Sequence, residues 1–252
     1  NGAVYCWGNN DYYQLGDNST AADRTVPTAV HTGTGLSGRT ATKVVTSWAP
    51  RIRDGQIQYP DGTGGNCPTY PGRDCYQQAT TCTMTTDGHM YCWGANRYGQ
   101  LAKGYWNSTN YRTPQRITES SFSSKHVRDI AIAYHTACAL TTEPDSGNRF
   151  YCWGRNNAGV AGVGDDSGCD AETPSTHSRC RPRPVVMADP GLLNKYITAI
   201  YGGVNRICAI SEGVSYCSGL NTRGQLGDGT TTNRNVPTEA TLMRQLSPPI
   251  LY

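Results

Sequence analysis

The sequence predicts an all-β fold: a β-propeller, or part of one, built from four-stranded antiparallel blades. Three observations carry that prediction. A block of Tyr, Cys, Trp and Gly recurs four times along the chain. Each later block is preceded by two strand-like runs, and every block is followed by a proline-led run. Cysteines stand at matching positions in neighbouring runs, so a hairpin sets them opposite each other.

The recurring block reads VYCWGNNDYYQLGD, then MYCWGANRYGQLAKG, FYCWGRNNAGVAGVGD and SYCSGLNTRGQLGDGT. It supplies a strand, called c, that carries Cys6, Cys92, Cys152 and Cys217. Upstream of the later copies, TCTMTT, ACALTT and ICAIS read as strand b. Strand a comes before these, anchored by Val45 and Trp48, by Val127 and Ile130, and by Ile197 and Ile200. After each block, PTAV, PQRI, PVVM and PTEA open strand d at a proline. Proline suits a strand start or an edge strand, because it cannot donate to an interior ladder. A meander of this size cannot bury both faces alone, and radial stacking of such sheets gives a propeller. The units run approximately over 1–42 (partial), 43–124, 125–194 and 195–252, in one domain or a fragment of one, with insertions at 50–80 and 162–183.

The b–c hairpins test this layout. Cys208 and Cys217 are symmetric about Glu212-Gly213, a two-residue turn. Cys82 and Cys92 flank Thr86-Asp87-Gly88, and Cys138 and Cys152 fit the same scheme around the longer tip EPDSGNR. Directly opposed residues lie at separations that a disulfide bridges. Inside the insertions, Cys67 with Cys75 and Cys169 with Cys180 are close enough in sequence to pin small loops. Cys6 is left unpaired in this chain. The spacing from turn glycine to cysteine places its expected partner four or five residues upstream of Asn1, in a longer polypeptide. After each c strand, Gly8, Gly94, Gly154 and Gly219 are followed by Asn10, Asn96, Asn156 and Asn221, whose side chains can close an Asx-type turn. The later Gln-Leu element then sends a leucine inward.

Composition excludes several classes of function. With 37% hydrophobic residues and no run of 18 apolar ones, no membrane span is expected. A net charge of +3, dispersed along the chain, is no nucleic-acid footprint. Eleven cysteines without a CxxC pair, and five histidines without ligand spacing, favour disulfides in an oxidising compartment over zinc. The glycine-rich stretches lack the G-x-x-x-x-G-K-[ST] pattern of a phosphate loop. Asp165, Asp166, Asp170 and Glu172 cluster as hard oxygen ligands, but their spacing fits no standard calcium loop, and a solvated acidic turn is preferred. No catalytic set stands out, so a non-enzymatic protein without cofactor is expected. His135, just before strand b, reads as a loop hydrogen-bonder.

The Cys-Ala-Leu run, the Tyr-Cys-Trp-Gly-x-Asn-x-x-Gly-Gln-Leu-Gly-Asp-Gly-Thr block and the following Arg-x-x-Pro together resemble the regulator of chromosome condensation repeat family. The nearest resemblance is to its cysteine-paired forms in bacterial secreted and cell-surface proteins. It covers nearly the whole chain apart from the two insertions. Departures fall at Tyr13, at Ala158-Gly159-Val160 and at Ser218. The resemblance implies a propeller, typically of seven blades, whose faces bind other proteins.

Meander topology places the a–b and c–d loops on one face. Both insertions fall there, as do the sequons at Asn18 and Asn107, which are candidate N-glycosylation sites. Tyr59, Tyr70, Tyr105, Trp106 and Tyr111 are candidate interface anchors on the same face. The favoured reading is an extracellular or cell-surface display module that offers this face to a protein or glycan, as part of an adhesin, pilus or other appendage. The alternatives are a structural subunit of an extracellular filament or coat, and a secreted inhibitor of a hydrolase like the family's β-lactamase-inhibiting propellers.

Overall fold

The computed structural model describes residues 2–20, 22–33, 35–47, 79–107, 109–119, 122, 124–143, 147–165, 180–187, 192 and 195–241, with the backbone of three short strands at 51–53, 56–58 and 64–66. In chain order the strands are β1 (Tyr5–Gly8), β2 (Arg24–Ala29), β3 (Ala41–Thr46), β4 (Arg51–Arg53), β5 (Gln56–Gln58), β6 (Gly64–Asn66), β7 (Thr80–Thr85), β8 (Met90–Gly94) and β9 (Tyr111–Arg116). They continue with β10 (His126–Ala133), β11 (Thr136–Glu143), β12 (Gly147–Gly154), β13 (Arg181–Val186), β14 (Ile197–Gly203), β15 (Arg206–Ser211), β16 (Val214–Gly219) and β17 (Arg234–Glu239).

Three of the sheets are four-stranded antiparallel meanders in the order a-b-c-d: β3-β7-β8-β9, β10-β11-β12-β13 and β14-β15-β16-β17. The first blade contributes its c and d strands, β1 and β2, as a two-stranded sheet. Within the first insertion, β4, β5 and β6 pair into a small sheet that the sequence did not announce.

The b–c hairpins bring the cysteines into register. Cys82 pairs with Cys92, Cys138 with Cys152 and Cys208 with Cys217 in the ladder, each with Cα atoms 4.1 Å apart and bonded through sulfur. The hairpin at Glu212-Gly213 turns with φ +51° and +76°, the left-handed pair that a two-residue loop requires. Cys180 is also disulfide-bonded, whereas Cys67, Cys75 and Cys169 lie outside the described residues. Cys6 is the free cysteine among the described residues, and burial, then the Asp17 carboxylate, pushes its thiol up to about 11.

Two expectations need correction. Strand d does not begin at its proline: Pro27, Pro114, Pro184 and Pro237 are each the fourth residue of their strand. They are tolerated because d is the outer edge strand, and its pairing with c shifts register at that point. In the second unit, strand a lies earlier than expected. Opposite Thr85 and Thr83 stand Ala41 and Val44, the places that Val127 with Ile130 and Ile197 with Ile200 hold in later blades. Val45 is therefore one position out of phase, and Trp48 lies outside the described residues. The strand also begins before the expected unit boundary at residue 43. The period-three spacing of these anchors has a cause. A bulge between Val127 and Asp129, and between Ile197 and Ala199, turns both apolar residues to one face.

Apolar residues from adjacent blades pack face to face. Tyr91 and Trp93 meet Val4, Val30 and Leu36 of the first blade, while Tyr151 and Trp153 meet Leu101, Ile117 and Phe122 of the second. On each c strand, Tyr and Trp thus point back toward the preceding blade. Inner strands are tied by Asp129, whose carboxylate takes Lys43 Nζ at 2.5 Å and the Ile200 N–H at 2.9 Å.

Candidate functional site

The c–d loops of all four blades share one design. Asn10, Asn96, Asn156 and Asn221 are fully buried, and each side-chain oxygen accepts the N–H five residues on, at Leu15, Leu101, Ala161 and Leu226, over 2.9–3.1 Å. The amide nitrogens of Asn96, Asn156 and Asn221 donate to loop carbonyls at Tyr105, Asp165 and Thr230. Gln14, Gln100 and Gln225 accept the backbone N–H two residues before them at 2.8–2.9 Å. Leu15, Leu101 and Leu226 turn inward and are buried. Each loop is therefore a rigid bracket closed by internal hydrogen bonds.

Two bonds, repeated at each of the three described junctions, link one bracket to the next blade. Trp93 Nε1 donates to the Gln14 carbonyl at 2.8 Å, and Trp153 Nε1 to that of Gln100 at 2.9 Å. Ser218 replaces the tryptophan in the fourth blade, and its hydroxyl reaches the equivalent carbonyl of Val160 at 3.1 Å. In the other direction, Asn18, Gly104 and Gly164 donate backbone N–H groups to the carbonyls of Arg112, Pro182 and Asn235 at 3.1, 3.0 and 2.8 Å.

On this scaffold stands an aromatic and cationic cluster. Tyr105 is 50% and Trp106 38% exposed. The hydroxyls of Tyr105 and Tyr111 are 3.0 Å apart, and Lys103 Nζ lies 5.6 Å from the Tyr111 ring centre while donating to Gln115 at 3.1 Å. Burial lowers the Lys103 ammonium from its ordinary range against a smaller upward pull from Tyr105. Arg112 stacks 4.7 Å above Tyr13 and donates to its hydroxyl at 3.2 Å. The Tyr13–Arg112 pair joins the c–d loop of the first blade to β9 of the second, while Lys103, Tyr105 and Tyr111 meet within the second blade. Of the expected anchors, Tyr105 and Tyr111 come together, Trp106 is exposed next to Tyr105 in the chain, and Tyr59 and Tyr70 lie outside the described residues. The sequence marks Tyr13 only as a departure from the repeat and does not mark Arg112, because their pairing depends on the junction between blades.

The sequon asparagines differ in setting. Asn18 is exposed at φ +60°, while the Asn107 side chain accepts a 3.1 Å bond from Asn96 and its backbone N–H caps the same bracket. Asp165 accepts from Asn156 and forms an ion pair with Arg181; the other three acidic residues of that cluster lie outside the described residues. No group of His, Cys, Asp and Glu suited to a metal is found among the described residues. His135 corrects the sequence reading. Its backbone carbonyl accepts the Arg155 N–H at 3.0 Å, but the imidazole is 1% exposed, has no hydrogen-bond partner on either nitrogen among the described residues, and stacks on Tyr98 at 4.7 Å.

Comparison with known proteins agrees with this architecture. Residues 1–48 and 87–140 match the family model for the Regulator of chromosome condensation (RCC1) repeat. The human E3 ubiquitin-protein ligase HERC2 is 32% identical over 154 residues, which is 61% of this chain and 3% of HERC2. The Ultraviolet-B receptor UVR8 of Arabidopsis thaliana is 25% identical over 258 residues, covering 94% of this chain and 53% of UVR8. The chain thus spans no more than about half the length of these curated relatives. Among solved structures, Prp20p from Saccharomyces cerevisiae superposes with a TM-score of 0.53 at 18% identity, over 95% of this chain and 59% of that one. Yeast RCC1 (Prp20) bound by Kap60 gives 0.51 at 17% identity, over 95% and 71%. Repeat sequence over residues 1–48 and 87–140, together with the blade architecture, makes the chain similar to the regulator of chromosome condensation (RCC1) repeat propellers.

Proposed function

We propose that this chain is a non-enzymatic binding module of an extracellular or cell-surface protein, presenting its c–d loop face to a protein or glycan, as the displaying domain of an adhesin or appendage. The observation that carries this reading is two aromatic and cationic groups at the c–d loops of the first two blades and the start of β9: Tyr13 with Arg112, and Tyr105 with Tyr111 and Lys103 beside the exposed Trp106. Tyrosine, tryptophan and arginine are the side chains that most often anchor interfaces, and prior fixation of the loops lowers the entropy lost on binding. The cysteine pairs braced across the b–c hairpins support an oxidising compartment. No helix among the described residues is long and apolar enough to cross a membrane. A protein partner is supported by analogy with Prp20p, whose structure is described with its binding to Gsp1p and histones.

The test compares the intact chain with Tyr105→Ala/Trp106→Ala and with a deletion of residues 51–79, probed against glycan arrays and displayed host-surface proteins. Binding by the intact chain that falls at least tenfold in the double variant supports the reading. Binding unchanged in both variants rejects this face.

A further inference from the structure

The second blade breaks a pattern that its neighbours keep. In the first blade Asp17 accepts the Ser19 hydroxyl at 2.6 Å and Arg24 Nε at 2.9 Å. In the fourth, Asp228 accepts the Thr230 hydroxyl at 2.8 Å and Arg234 Nε at 2.6 Å. Both carboxylates are thus satisfied within their own blades. The third blade has Val163 at this place, and its strand-opening Arg181 pairs with Asp165 instead. Loop position and ladder register identify the counterparts in the second blade. Lys103 stands for the aspartate and Tyr105 for the serine or threonine. Tyr111, opposite Gly94 as Arg24 is opposite Gly8, stands for the arginine.

The replacements work in one direction. An acid held by its own loop becomes a cation, and its two partners become phenols. An ammonium carries three donors, of which Lys103 gives one to Gln115 at 3.1 Å; no carboxylate among the described residues pairs with it. Burial holds this ammonium below its ordinary range, the direction expected of a cation that lacks a counter-ion. The neighbouring guanidinium groups are engaged elsewhere. Arg112 stacks on Tyr13, and Arg183, beside Gly104, is paired with Glu119. Tyr105 is half exposed, so filling the core does not account for its ring.

We propose that Lys103, Tyr105 and Tyr111 form a subsite for an acidic sugar, a pyranose whose carboxylate takes the place that Asp17 and Asp228 fill from within in their own blades. The Lys103 ammonium donates to the carboxylate. The adjoining Tyr105 and Tyr111 hydroxyls, 3.0 Å apart, bond ring hydroxyls, and the exposed aromatic face covers the C–H side of the sugar. A single ammonium suits a single carboxylate, whereas acidic peptides are read by clusters of arginine. This assignment rests on the loop-face reading above and names the ligand class for it.

The test is biolayer interferometry of the 252-residue chain against immobilised oligosaccharides ending in a uronic acid, beside the same oligosaccharides with that carboxyl reduced to an alcohol. The acidic form should bind at least about tenfold more tightly, the lower bound for a hydrogen bond to a charged group. Lys103→Gln should bring both forms to one affinity, and Lys103→Arg should keep the preference. Lys103→Asp/Tyr111→Arg rebuilds the pair of the first and fourth blades, so it should fold, as circular dichroism checks, and reject the acidic form. If it does not fold, Lys103→Gln decides. Equal binding of the two forms, binding of neither, a preference that survives Lys103→Gln, or tighter binding to an immobilised polyglutamate peptide overturns the assignment. A partner lost by Tyr105→Ala/Trp106→Ala but indifferent to Lys103→Gln rejects the acidic sugar and leaves the loop face standing.

Discussion

Replacing Asp129 by alanine should destabilise the chain by roughly 3 kcal/mol, because one carboxylate serves three blades. Its Oδ1 receives the Ile130 N–H at 2.9 Å and lies 2.5 Å from Lys43 Nζ, while Oδ2 receives the Ile200 N–H at 2.9 Å. Ile130 and Ile200 are fully buried, so truncation leaves two backbone donors without an acceptor and without water. Each such donor costs about 1–3 kcal/mol. The Lys43 side chain is 36% exposed, and solvent screening limits the ion pair to about 0.5 kcal/mol. The loss therefore resides in the amide bonds more than in the charge. Asp129→Asn, which keeps one acceptor, should lose about half as much, and Lys43→Met no more than about 0.5 kcal/mol. Urea unfolding followed by tryptophan fluorescence measures all three variants. An Asp129→Ala loss below about 1 kcal/mol, or a Lys43→Met loss equal to it, would refute this division.

Three further outcomes follow from other parts of the molecule. Burial, and then the Arg155 charge, hold His135 well below its ordinary range, so only the unfolded chain takes up that proton near pH 6. Stability from this group should be full above pH about 6.5 and fall by up to about 1.4 kcal/mol per pH unit below it; His135→Phe should flatten the slope in unfolding measured from pH 7.5 to 5. Replacing Cys138 and Cys152 by alanine should cost about 3 kcal/mol for their sequence separation of 14, with the variant matching the reduced wild type in thermal unfolding once the other bridges are accounted for. Asn96→Ala removes the acceptor of the Leu101 N–H and the donor to Tyr105 and Asn107, and should lower the midpoint of urea unfolding by the equivalent of about 2–3 kcal/mol.

What could be read beforehand depended on whether the information is local. The c strand and the Asn-closed loops lie within short windows present four times and the opposed cysteines within windows present three times, and their geometry follows from turn length and ladder register. The a strand of the second blade was misplaced because Ala41 stands where later blades have Val127 and Ile197, leaving no large apolar anchor to mark its phase. The junction bonds were invisible for another reason: their acceptors are backbone carbonyls of Gln14, Gln100 and Val160, which no side-chain pattern reports. For the same reason Ser218 reads as a departure in sequence yet keeps the bond in space. In the candidate site, exposed tyrosines were legible one by one, but the pairing of Tyr13 with Arg112 requires two blades to be set side by side.

The internal prolines of the outer strands have a consequence for behaviour in crowded surroundings. A propeller rim is a ring of exposed sheet edges, and such edges recruit stray strands into amyloid-like aggregates. Pro27, Pro114, Pro184 and Pro237 each delete a donor near the middle of a six-residue rim strand, where the backbone is already irregular. The periphery is thereby denied a continuous template, so molecules at high density can touch rim to rim without fusing their sheets.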